Sequence, residues 1–242
     1  MGNKLELALR DLFSTPDKWM TILLLTVCIL IPVVGTMVIA GYAIRRFASA
    51  RKGLPITDFS FNYFGEYLQI GLWPLLCSML LGLVTVPLIL FCYSPFVLLM
   101  IDPESGFLIT ISLLLSGLLF TGTIVLLTLF TYPVMLKSGL QMNFGAGFSG
   151  SFMRDFIKRV GGQVVLWAII LGAISIPLYL VGYMALVVGI YPVAAIITFV
   201  SHHLMFQMYD LYLERGGEEI PVADFVYGSV PVSPPSLPPE QP

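Results

Sequence analysis

The stretch ILIPVVGTMVIAGYAIRR, Ile29–Arg46, is apolar enough for a lipid bilayer, carries Pro32 and Gly35 near its start, and closes on two arginines. A proline inside a helix removes a backbone hydrogen bond and crowds the preceding turn. The chain therefore either kinks here and crosses the membrane once, or bends at Pro32–Gly35 and returns. The bend divides the uncharged run 19–44 into two arms of about 12 residues, about 18 Å each, too short for a ~30 Å hydrocarbon core. Backbone groups freed at such a bend must be covered by neighbouring helices, since lipid cannot satisfy them.

The rest of the chain says that a membrane is the solvent. Of 242 residues, 57% are hydrophobic and 11% charged, with a mean hydropathy of +0.92, whereas soluble domains are roughly 45–50% apolar and about 25% charged. Further uncharged runs cover 67–101, 105–136 and 160–209, each longer than the roughly 18–20 residues of a spanning helix. The fold class predicted is all-α: a polytopic transmembrane helical bundle of about four full spans, a Pro/Gly-broken first segment that is either kinked or re-entrant, and two interfacial amphipathic helices. The run 67–101 would be about 50 Å long as one helix, so it spans once, kinked near Pro74 or Pro87, and ends irregularly at Ser94–Pro95. Asp102–Gly106 reads as a tight acidic turn, and 107–136 as the next span. The run 160–209 holds two helices joined by a turn at 184–190, where Gly182, Gly189 and Pro192 interrupt it.

Leu5, Ala8, Leu9, Leu12 and Phe13 share a helical face, which places an interfacial helix over 1–18. Lys18 and Trp19 then mark the headgroup level. A second such helix carries Phe148, Phe152, Phe156, Ile157 and Val160 on one face and Arg154, Asp155, Lys158 and Arg159 on the other; it is continuous with the fourth segment or leads into it. The domains are then 1–18, a transmembrane unit over 19–213, and a Pro-rich cytoplasmic tail over 214–242, expected to be extended or disordered and outside the bundle. Pro231–Pro234 and Pro235–Pro238 fit a PxxP spacing that docks on aromatic grooves, so a protein partner could reach the chain through its loops or tail.

Charge placement sets the orientation. Arg45, Arg46, Arg51, Lys52, Lys137, Arg154, Lys158, Arg159 and Arg215 fall on one side of these spans, while the Asp102 turn and 184–190 contain no Lys or Arg. The positive-inside rule makes the first side, with the C-terminus, cytoplasmic, and the chain a multi-pass protein of the cytoplasmic (inner) membrane. A re-entrant first segment brings Lys4, Arg10 and Lys18 to the same side, and that asymmetry favours it over a kinked single span.

Candidate functional residues are few. The spans contain no Asp, Glu, Lys or Arg, which counts against a proton-coupled pump. His203, Gln207 and Asp210 share a helix face by i, i+4, i+7 spacing and form an interfacial polar site for a partner or a lipid headgroup. Adjacent His202 points elsewhere, so a shared metal is not expected. Arg45, Arg46, Arg51, Lys52, Arg154, Lys158 and Arg159 are candidate contacts for anionic lipid headgroups, the expected partners. Small-residue pairs Ser78/Gly82, Ser112/Ser116, Gly117/Thr121 and Ala168/Gly172 offer close helix packing. Cys28, Cys77 and Cys92 lie in apolar runs as buried thiols. No catalytic residues, cofactor, metal set or nucleic-acid partner is expected, because no nucleophile elbow, paired carboxylates, phosphate loop or metal-ligand spacing occurs.

Trp19, "IPVVG" (31–35), Gly41–Tyr42 before Arg45–Arg46, Leu54–Pro55, "FGEYLQIGL" (64–72) and "HLMFQMY" (203–209) together resemble a family of bacterial and archaeal membrane proteins catalogued as domain of unknown function 4013. The resemblance covers roughly 13–213 and implies a helical membrane protein without implying an activity. The leading expectation is a non-catalytic integral membrane protein that binds partner proteins or lipids. The alternative is a transporter or transport-complex subunit for a neutral or lipidic solute, with the broken segments lining its path.

Overall fold

The computed structural model describes residues 18–54, 59–100, 104–185 and 188–227. Seven helices, and no strand, occur among them. These are α1 Lys18–Ile29, α2 Pro32–Arg51, α3 Phe64–Cys92, α4 Gly106–Gln141, the single turn α5 Phe144–Gly147, α6 Gly150–Met184 and α7 Ile190–Glu214. The interfacial helix expected over 1–18, apart from Lys18, and the PxxP motifs lie outside the described residues.

Pro32 opens α2 at its first position, where a missing N–H costs nothing. Leu30 and Ile31 donate to the Val27 and Cys28 carbonyls, closing the end of α1. Gly35 returns so closely that a Cβ on it would stand 2.2 Å from the Cys28 carbonyl oxygen. In an unbroken helix, residues seven apart are separated by about 10 Å. The chain thus reverses at Leu30–Ile31, and α1 and α2 form a helical hairpin, the bend rather than the kink. Its outer face, including Trp19, Leu23 and Val27, is exposed.

Phe61–Val97, Gly106–Gln141, Gly150–Met184 and Ile190–Glu214 are each long and apolar enough to cross a membrane. Their outward side chains are large and apolar: Leu83 is 69% exposed, Leu118 74% and Ile176 72%. Water would not tolerate apolar surface on this scale; lipid does. The protein is a multi-pass membrane protein, and helices of this kind keep their backbone hydrogen bonds internal.

Packing concentrates at the end where the charges gather. Ile44, Leu136, Phe156, Val160, Leu204 and Tyr212 belong to a core shared by α2, α4, α6 and α7. Leu25, Val38, Ile39, Tyr42, Tyr67 and Phe199 make a second core around the hairpin. Helices α2 and α3 cross backbone to backbone: a Cβ on Gly41 would lie 1.9 Å from the Tyr67 carbonyl oxygen, and one on Gly71 would lie 1.9 Å from that of Met37. Of the small-residue pairs singled out in the sequence, Ser112/Ser116 packs closely, Ser112 being buried and donating to the Pro95 carbonyl at 2.9 Å, whereas Gly82, Gly117 and Gly172 have open space around them.

Two stretches at the charged end differ from expectation, one in what covers its apolar face and the other in its order. The amphipathic stretch 148–160 is for the most part the beginning of α6, continuous with that span. Its Phe152, Phe156 and Val160 are buried in the core, so protein covers the apolar face. The second difference concerns the tail. Residues 215–227 form an ordered strap across the charged end instead of an extended tail outside the bundle. Ile220 and Val226 are buried, the Ala223 amide donates to the Leu140 carbonyl at 2.8 Å, and Gly217 donates to the Tyr212 carbonyl at 3.0 Å. Buried apolar side chains and satisfied amides give this segment the contacts that a Pro-rich composition alone does not suggest.

Candidate functional site

The charged end is built on cations drawn from α2 and α6 and carboxylates drawn from α3, α6, α7 and the strap. Arg45 turns inward, ion-pairs with Glu66 at the start of α3, and lies 4.4 Å from the Tyr63 ring centroid. Arg46 is buried and donates to the Tyr42 hydroxyl at 3.0 Å. A buried guanidinium is tolerated only when paired and hydrogen-bonded, so these two arginines are structural contacts of the bundle interior. That corrects the assignment of Arg45 as a lipid contact, since it faces α3; Arg46 faces the groove against α7.

Farther along α2, Arg51 bridges Asp210 on α7 at 3.1 Å and Glu219 on the strap at 3.0 Å. Lys52 stands over the Tyr227 ring, 3.2 Å from its centroid. On α6, Asp155 accepts from Arg159 at 2.8 Å and from the Tyr212 hydroxyl at 2.9 Å. Arg159 and Arg215 each donate to the other's backbone carbonyl. The Tyr212 and Tyr209 hydroxyls in turn accept from the strap amides of Glu218 (3.1 Å) and Ile220 (2.7 Å). Five of the seven candidate cations are thereby committed within the fold.

Arg154 and Lys158 are placed differently. They lie one turn apart on the outer face of α6, both exposed, and among the described residues no carboxylate stands within ion-pair distance of either. With Phe130, Gly150, Met153 and Ile157 they line an open recess of about 500 Å³ between α4 and α6. An apolar floor with two adjacent cations at its rim suits an anionic headgroup whose chains run down the lipid-facing wall.

The predicted trio is also brought together. His203, Gln207 and Asp210 line a groove of about 160 Å³ between α7 and α2, facing Arg46, Phe47 and Ala50. His202 points into the bundle, as its different helical angle requires, and its Nδ1 sits 2.8 Å from the Thr198 carbonyl. Among the described residues no group of three or more His, Cys, Asp or Glu side chains is arranged to hold a metal ion. Sequence reasoning did not identify Glu66, Tyr212 or the strap. A detectable signal was the apolar Ile220, Val222, Phe225 and Val226 following the Glu214–Glu219 polar stretch.

A family model described as "Protein of unknown function (DUF4013)" matches residues 24–188. The match takes in the return of the hairpin, α3, α4 and α6 and leaves out α7, the strap and Trp19. No curated protein and no solved structure matches the chain. With well over half of its length matched, the chain belongs to the family defined by this domain of unknown function.

Proposed function

We propose that the protein is a non-catalytic component of the cytoplasmic membrane that binds anionic phospholipid at its charged, cytoplasmic end. The supporting observation is the recess at Arg154 and Lys158. These are the two candidate cations with no ion pair among the described residues, and they stand beside Phe130 and Ile157 at the edge of the apolar belt. The remaining cations hold the helix ends and the strap together, presenting a rigid platform around that recess. A phosphate headgroup on two cations gains charge-assisted hydrogen bonds, while its acyl chains replace bulk lipid along α4 and α6. The exposed end and the PxxP tail leave room for a protein partner as well.

The test is lipid identification after purification in mild detergent from membranes containing both phosphatidylglycerol and phosphatidylethanolamine. Wild-type protein is expected to retain phosphatidylglycerol above its membrane fraction, and the Arg154→Gln/Lys158→Gln variant to lose that enrichment several-fold. Equal retention by both proteins refutes the reading. The transport reading draws on the helical hairpin, whose turn is a discontinuity of the kind that lines solute paths. Flux of a neutral solute into liposomes containing this chain alone would favour it.

A further inference from the structure

We infer that the groove between α2 and α7 is a second lipid site, selective for a zwitterionic phosphoethanolamine headgroup. Neighbouring contacts fix the relative heights of the two helices. Tyr42 lies against Phe199 with centroids 6.1 Å apart, Phe47 stacks on Phe206 at 4.3 Å, and Arg51 pairs with Asp210. The helices therefore run in parallel register, and the groove's groups follow one another in a definite order along the bilayer normal. Phe199 and Ala43 come first, on the apolar side. Arg46 and His203 follow, then Gln207, and at the charged rim Asp210.

Arg51, the partner of Asp210, lies five positions beyond Arg46, which puts the cationic and anionic levels about 7.5 Å apart at 1.5 Å per residue. A phosphoethanolamine lipid presents the same sequence of chemistry from the bilayer outward: acyl and glycerol carbons, an anionic phosphate, then an ammonium. Phosphate at the level of Arg46, Gln207 and His203 and ammonium at Asp210 match each charge to its opposite. The reverse order, or a purely anionic head, sets like charge against the Asp210 carboxylate. Both poles already have partners in the protein, Arg46 with Tyr42 and Asp210 with Arg51, so the headgroup joins these pairs. Arg51 keeps Glu219 when it shares Asp210.

Two features select ethanolamine over choline. A primary ammonium donates hydrogen bonds to a carboxylate, which a quaternary ammonium cannot do. A groove of about 160 Å³ also favours the smaller head. The site shares no lining residue with the Arg154/Lys158 recess, so the two lipid assignments stand or fall separately.

Native mass spectrometry of the full-length protein in mild detergent, titrated with phosphatidylethanolamine, phosphatidylcholine or phosphatidylglycerol of matched chains, tests this. One phosphatidylethanolamine is expected to bind about tenfold more tightly than phosphatidylcholine, the worth of a charge-assisted hydrogen bond. Asp210→Asn should erase that preference while leaving phosphatidylcholine binding in place. Ala50→Trp, at an exposed rim position, should fill the groove and erase it without altering any charge. Arg154→Gln/Lys158→Gln should leave it intact. Equal affinity for the two zwitterionic lipids, a preference that survives both Asp210→Asn and Ala50→Trp, or one that disappears with the Arg154/Lys158 variant overturns the inference.

Discussion

Replacing Gly41 with alanine adds one methyl group where α2 and α3 touch backbone to backbone. The new Cβ would lie 1.9 Å from the Tyr67 carbonyl oxygen, and ordinary contact begins near 3.4 Å, so the helices must separate locally by about 1.5 Å. Because the opposing atom belongs to a helix backbone, no rotamer change relieves the clash. Overpacking in a core costs about 1–3 kcal/mol, and here the upper end applies. Alanine returns up to about 1 kcal/mol through helix propensity, leaving a net loss of about 2 kcal/mol. Gly71→Ala makes the reciprocal clash with the Met37 carbonyl oxygen, also at 1.9 Å. Once the first methyl has parted the helices, the second meets less resistance, so the double variant should lose clearly less than the two single losses combined. Gly82→Ala, with open space around it, is the matched control and should be neutral or slightly stabilising. Unfolding by sodium dodecyl sulfate titration from a mild-detergent micelle, followed by circular dichroism, measures all four variants. If Gly41→Ala unfolds at the same midpoint as Gly82→Ala, the close crossing of α2 and α3 is refuted.

Three further outcomes are expected. Tyr212→Phe removes the acceptor of the Glu218 amide and a donor to Asp155; it should loosen the strap by about 1 kcal/mol or more, seen as faster hydrogen exchange at 216–222 with α3 unchanged. Arg45→Ala removes the buried member of the pair with Glu66, whose side chain is 25% exposed, and should cost about 1.5–3 kcal/mol, the worth of a hydrogen bond to a charged group; Arg45→Ala/Glu66→Ala together should recover part of it, in the same detergent titration. The hairpin puts both arms of the first segment on one side. In a variant lacking Cys28, Cys77 and Cys92, single cysteines at Lys18 and Gly53 should therefore react with a membrane-impermeant maleimide from the same face, and one at Ser105 from the other. Labelling of positions 18 and 53 from opposite faces would restore the single kinked span.

The number of spans was legible in the sequence, because span length and the exclusion of charge from hydrocarbon are properties of a run, not of its neighbours; their limits were not, since the first begins at Phe61 and the third at Gly150, ahead of the uncharged runs. The turn between α6 and α7 and the irregular end of α3 at Ser94 were legible for the same reason. Arg45 and Arg46 show where such reasoning stops. Composition makes them juxtamembrane cations, and whether they face lipid or Glu66 and Tyr42 depends on how α2 is rotated against α3 and α7. The apolar strap residues were overshadowed by the prolines that follow them, since Ile220 and Val226 acquire a burial partner only where four helix ends meet.

For this protein, the sequence alone determined that lipid is the solvent and that helices cross it, since transfer of uncharged runs out of water is additive along the chain. It also placed His203, Gln207 and Asp210 on one face, because helical periodicity is local. Only the tertiary structure decided that the first segment folds back, that Gly41 and Gly71 are the contact glycines, and that Arg154 and Lys158 are the cations left outward. Each of these follows from which surfaces of different helices meet, and in a bilayer, where one apolar face is as soluble as another, hydrophobicity cannot choose among them.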